Sequence, residues 1–249
     1  MSRTTVLVLV AAIVVAHGTA KAQDAPAKWA DTISGELKKA NLSGDIAAYT
    51  SARALAERVA TAYPSDGLIL HYAGFALYQE ASMIIGRGGN ATPLLNRAQD
   101  YFTRSLKTHP LAETHALMAS IDGQLIGADP SRAMELGIAS QEENTAAVAM
   151  APKNPRVWLI RGIGWIFTPE EYGGGLAKAK DDIQHAIDLF ATDAPKPGEP
   201  SWGHAEAYVW LGQVYEKLHD KTKAEAAYKS ALALAPTFAW PRTLLAALK

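Results

Sequence analysis

The 249-residue sequence contains no cysteine. That excludes disulfide staples, thiol catalysis, thiolate metal sites and a lipid attached through cysteine. It also has no His-Glu-x-x-His pair, no Gly-x-Ser-x-Gly turn, and no Lys-Ser/Thr after its glycine clusters. Zinc-protease, hydrolase-elbow and P-loop chemistry are therefore without their usual residues. Runs of β-branched residues are scarce, which argues against a sheet. Neither sign of charge dominates: 24 Lys and Arg stand against 25 Asp and Glu, a formal net charge of −1. A nucleic-acid-binding surface or an anchor on an anionic membrane would need a basic excess, so neither is expected.

Only one long apolar run is present, Val6 to Val15, preceded by Arg3 and followed by Ala20-Lys21-Ala22. A cationic start, a short apolar segment and small residues at the cleavage positions make a secretory signal peptide over 1–22, cut near Ala22. The run falls short of the roughly 20 residues that a membrane span needs. The mature chain, 23–249, is expected in a periplasm or secreted, with no stable membrane insertion. Losing Arg3 and Lys21 would leave 22 basic and 25 acidic side chains.

What remains is rich in Ala and Leu at helical spacing. The clearest stretch is Tyr208, Leu211-Gly212, Tyr215, Ala224, Tyr228, Ala231 and Pro236. Tyr208, Leu211, Val214, Tyr215 and Leu218 form one apolar stripe, and Ala224, Ala227, Tyr228, Ala231 and Leu234 form a second. Gly212 lets the second helix approach closely, and Pro236 ends that second helix. The result is an antiparallel helix hairpin that cannot bury its own apolar face and needs neighbours. Weaker copies recur upstream. Gly74, Ala98, Phe102 and Pro110 keep the same relative order, and Trp158, Gly162 and Trp165 repeat the first half. The helix stops Pro64, Pro110, Pro152 and Pro236 lie 46, 42 and 84 residues apart, a beat of one, one and two intervals.

This pattern resembles the tetratricopeptide repeat family, in the last repeat at all eight signature positions. The resemblance implies an all-α, antiparallel helix-hairpin solenoid, a superhelix of about five hairpins over 23–249. Phe238 to Leu248 is its C-terminal capping helix. Residues 23–28 are expected to be disordered, and Trp29 to Asn41 to be the first helix. The resemblance also implies a non-enzymatic scaffold without cofactor, binding a protein or peptide in its concave groove. Glycine-glycine loops like Gly88-Gly89 and Gly173-Gly175 also resemble those of periplasmic transporter accessory subunits. The alternative is therefore an accessory that binds a small solute, lipid or other small hydrophobic ligand.

In this family the first helix of each repeat lines the groove. Carried over, the groove positions are His71, Phe75, Tyr78 and Gln79, then Ser120 and Gln124. Leu159, Ile163 and Ile166 follow, then Val209, Gln213 and Lys217. Phe75, Ile163 and Ile166 serve equally well as packing between repeats. Asp182 and His185, three apart on one helix, lack a second pair of metal ligands and read as a surface face. The glycine clusters read as wide turns with positive φ rather than phosphate cradles. Arg161, on an otherwise apolar helix, is expected to extend to solvent, with Asp188 as the alternative partner.

Overall fold

The computed structural model describes residues 18–248, with side chains from Pro26 onward. The apolar run Val6 to Val15, expected as part of a signal peptide, lies outside the described residues. Eleven α-helices and no strand occur among them. Five hairpins pair α1 (Gly18–Ser43) with α2 (Ile46–Ala62), α3 (Gly67–Ile85) with α4 (Thr92–Leu106), and α5 (Ala112–Ala128) with α6 (Ala133–Met150). They continue with α7 (Pro155–Phe167) and α8 (Leu176–Phe190), then α9 (His204–Lys217) and α10 (Lys221–Leu234), and α11 (Ala239–Ala247) caps the array. Helices α1, α3, α5, α7 and α9 touch one another in succession and form the inner layer. The even-numbered ones lie outside them. This is the expected hairpin solenoid.

Local chemistry sets the helix ends. Asp45, Asp66, Asn154 and Asp220 each accept a first-turn backbone N–H through the side chain, which satisfies donors the helix itself leaves open. Small residues let paired helices approach. Gly74 faces the Phe102 ring, Gly162 faces Ile183, and Gly212 faces Tyr228. A Cβ at Gly74 would stand 2.7 Å from the Phe102 ring, so the glycine makes the seat for the aromatic.

Two expectations are corrected. Residues 23–28 are helical, and Pro26 lies inside α1. Ala30, Ile33, Leu37 and Ala40 make a buried stripe on α1, of which the first three join the core of the next hairpin, and Ala27 lies against Gly198. Those contacts hold the helix through one missing N–H donor. Arg161 does not extend to solvent, nor does it reach Asp188. It grips Asp182 with two bonds of 2.7 and 2.8 Å and stacks 4.3 Å over Trp158. Trp165 Nε1 donates to the same carboxylate at 2.8 Å.

The array also closes on itself. The Asn41 amide near the end of α1 donates to Glu206 in the first turn of α9. The Gly198 N–H donates to Asp31 of α1 at 2.8 Å. Leu42 joins the apolar cluster of Val209, Tyr228 and Phe238. The first helix therefore meets the last ones.

Candidate binding groove

Each inner helix presents one face to the concave side, and the α3–α5 seam shows how that face is used. The His71 ring nitrogen Nδ1 bonds Thr114 Oγ1 at 2.8 Å, Tyr78 OH bonds Ser120 Oγ at 3.0 Å, and Gln124 Nε2 donates to Ser82 Oγ at 3.1 Å. Four of the predicted groove residues thus tie one repeat to the next. His71 is fully buried among Tyr72, Phe75 and Phe102. Burial drives its imidazole down to about 3, because the charged form cannot be solvated there.

The other predicted positions divide by exposure. Phe75 is buried under the indole of Trp202, centroids 4.9 Å apart. Leu159 is 1% exposed and belongs to the core with Ile183, Ala186 and Phe190; Val209 is equally buried. His71, Phe75, Leu159 and Val209 are therefore packing residues in this conformation, not open surface. Gln79, Ile163, Ile166 and Gln213 are half-buried, and Lys217 is exposed at the end of α9. Gln79 Oε1 and Gln213 Nε2 are enclosed without a hydrogen-bond partner. Next to Ile166, Phe167 is 68% exposed and meets Trp210 edge to face. The accessible part of the groove lies toward the C-terminal ends of the inner helices.

Residues that sequence reasoning missed lie in the connector between α8 and α9. It carries Trp202 onto Phe75 and Gly198 onto Asp31. A tryptophan in a stretch that otherwise reads as a proline-rich linker was the available signal. Beside this connector a cleft of about 430 Å³ opens between the N-terminal ends of α5 and α7, lined by Leu111, Glu113, Lys153, Arg156, Asp193 and Pro195 among others. Its buried charges answer one another. Arg156, 2% exposed, forks onto Asp193 at 2.5 and 3.3 Å, and Asn154 donates to Glu113 at 2.7 Å.

Nothing in this arrangement assembles a catalytic constellation among the described residues. Asp182 is taken by Arg161 and Trp165, while His185 is exposed and packs edge-on against Trp158. No group of three potential metal ligands occurs among the described residues. Gly88, Gly173 and Gly175 have φ of 80, 83 and 108°, as wide turns require. No described helix is long and apolar enough to cross a membrane.

Stacked hairpins with an inner layer of first helices define a helical-repeat protein. Residues 205–238 match the tetratricopeptide repeat family, and solved structures share the arrangement along most of the chain. The HusA haemophore from Porphyromonas gingivalis superposes with a TM-score of 0.64 at 20% identity, over 81% of this chain and 96% of its own. A thermophilic tetratricopeptide protein from Thermus thermophilus gives 0.62 at 18% identity, over 89% and 98%. No curated protein sequence is significantly similar. The last repeat of the chain thus matches the tetratricopeptide repeat family, and the fold of the chain is the one these solved structures share.

Proposed function

We propose that this protein is an exported, non-enzymatic scaffold that binds a protein or peptide partner on its concave face. The observation that carries the reading is the set of half-buried apolar and amide side chains on the inner helices α3, α7 and α9. Gln79, Ile163, Ile166 and Gln213 form it, with exposed Phe167 and Lys217 at its mouth. Such a surface joins apolar contact area to a few orienting polar groups. Because the helices are already in place, the scaffold loses little freedom on binding.

Site-specific photo-crosslinking in the producing cell tests this. A crosslinker at Lys217 or Gln213 is expected to trap one protein. Ile166→Asp is expected to weaken that capture about tenfold or more. Unchanged capture by a folded Ile166→Asp variant overturns the groove assignment. Export is read from the N-terminus of the purified mature protein, expected at Gln23. A cytoplasmic chain that still carries the apolar run overturns it.

A small hydrophobic ligand is the second reading. The haemophore shares the fold, and aromatic side chains such as Phe75 and Tyr78 line the inner layer. Native mass spectrometry of protein purified from its own cells separates the two, since a bound small molecule appears as a discrete added mass.

A further inference from the structure

The connections between hairpins are short: 63–66, 107–111 and 151–154, of four, five and four residues. The one before α9, residues 191–203, has thirteen. Closing a turn between antiparallel helices does not need that length. The extra chain crosses the inner face. Its core, Ala194 to Gly203, holds Pro195, Pro197 and Pro200 and forms neither helix nor strand. It reaches three inner helices: Asp193 grips Arg156 of α7, Gly198 lies on α1 and α3 through Asp31, Ala27 and Leu68, and Trp202 covers Phe75 of α3.

An extended segment with prolines and one aromatic anchor, laid against aromatic side chains of the inner helices, is arranged as a proline-rich peptide ligand is in an aromatic-lined groove. We propose that residues 194–203 are a strap seated in cis in the site of such a ligand, and that the partner supplies an extended, proline-containing segment ending in an aromatic side chain. This rests on the scaffold reading above and extends the partner's site from the C-terminal ends of the inner helices to Phe75 and the N-terminal ends of α3 and α7.

The strap is held by contacts that another segment can replace. The Trp202 indole is only half-buried, and its Nε1 is enclosed with no acceptor, so it gives up no hydrogen bond on leaving. The middle of the strap is tied to α1 by the Gly198–Asp31 bond and rests on Ala27 and Leu68, with Gly198 and Pro200 buried. The 430 Å³ cleft on its α5–α7 side leaves a flank open to an incoming chain. While tethered, the strap competes at the high effective concentration of an intramolecular ligand.

The test uses the full chain and a fluorescein-labelled synthetic peptide of residues 193–203. Trp202→Ala removes the anchor and leaves its seat on Phe75 vacant. Fluorescence anisotropy is expected to show the peptide binding Trp202→Ala at least tenfold more tightly than the wild type. A peptide in which its own tryptophan is replaced by alanine is expected not to bind. Equal binding by the wild type and a Trp202→Ala variant of unchanged helical content overturns the proposal.

Asp31→Ala releases the strap without emptying the core. The backbone amides of the strap are expected to exchange hydrogen faster, with those of α3 and α5 unchanged; unchanged exchange in the strap also overturns it. The two readings fail separately. Crosslinking at Lys217 that persists while the peptide fails to bind removes the strap and leaves the scaffold. Peptide binding without any cellular crosslink removes the scaffold reading alone.

Discussion

At the scale of single residues, glycines at the hairpin seams and glycines on open helix faces look alike in the sequence and behave oppositely. A Cβ on Gly212 would collide with the fully buried Tyr228 ring, whose hydroxyl is already fixed on Glu216 at 2.6 Å. Gly212→Ala should therefore cost about 1–3 kcal/mol, because a packed ring must shift. Gly164 is also helical but has nothing within 4 Å of its would-be Cβ. Gly164→Ala should gain roughly 0.5–1 kcal/mol from helix propensity alone. Urea midpoints of the two variants, measured side by side, check both signs.

Asp122 offers a titration. Burial pushes its carboxyl up to about 6, with Glu143 adding to the shift, although Gln99 donates to it at 2.7 Å. The folded chain therefore holds this proton more tightly than the unfolded chain, whose aspartates titrate near about 3.9. Its contribution is fully favourable below about 4 and is lost as pH rises through about 6. Asp122→Asn should be more stable than the wild type at pH 8, with the difference shrinking toward pH 4. Denaturation midpoints at pH 8, 6 and 4 decide it; a constant difference would mean the carboxyl is not responsible.

At the scale of elements, legibility followed locality. The α9–α10 hairpin was readable because its ring, its glycine and its proline stop all lie within one short stretch. The second helix of the third hairpin was harder, since α6 buries only Leu136 and Ala147. The continuation of α1 through Pro26 was not readable, since Ala27 rests against Gly198, far along the chain. The partner of Arg161 was misplaced by helical register. Asp182 lies beside Gly162 across the α7–α8 seam, whereas Asp188 accepts from Gln184 within its own helix. The groove positions fell on the inner layer as the repeat pattern implies. Their exposure was hidden, because it depends on what the connector covers.

The capping role of α11 turns on Phe238, 1% exposed against Val209 and Tyr228. Phe238→Ala should cost about 3–5 kcal/mol, the range for emptying a packed aromatic site. Circular dichroism melts should show it, and a loss below about 1 kcal/mol would mean the last repeat is complete without its cap.

For the whole molecule, closure changes how the array should unfold. Open solenoids fray from their ends, because each repeat contacts only its neighbours. Here Asn41 bonds Glu206, and Tyr49 OH donates to the Asn41 side-chain Oδ1 at 3.1 Å. Burial raises the Glu206 carboxyl above its ordinary range. The wild type is expected to lose tryptophan fluorescence and helical circular dichroism in one coincident transition. Asn41→Ala leaves a buried carboxyl short of a donor and should cost about 1–3 kcal/mol. It should also bring early hydrogen exchange in α1. Separate transitions in the wild type would show that the ends are not coupled.

An unclosed array tolerates duplication: a hairpin can be added or dropped, and the chain merely grows longer or shorter. Here the first helix must arrive opposite the start of the ninth, so every hairpin between them contributes a fixed share of one turn. A sixth unit copied into the middle would carry Glu206 past Asn41 and leave both without their bond. The Asn41–Glu206 contact therefore ties the closure of this array to its present number of hairpins.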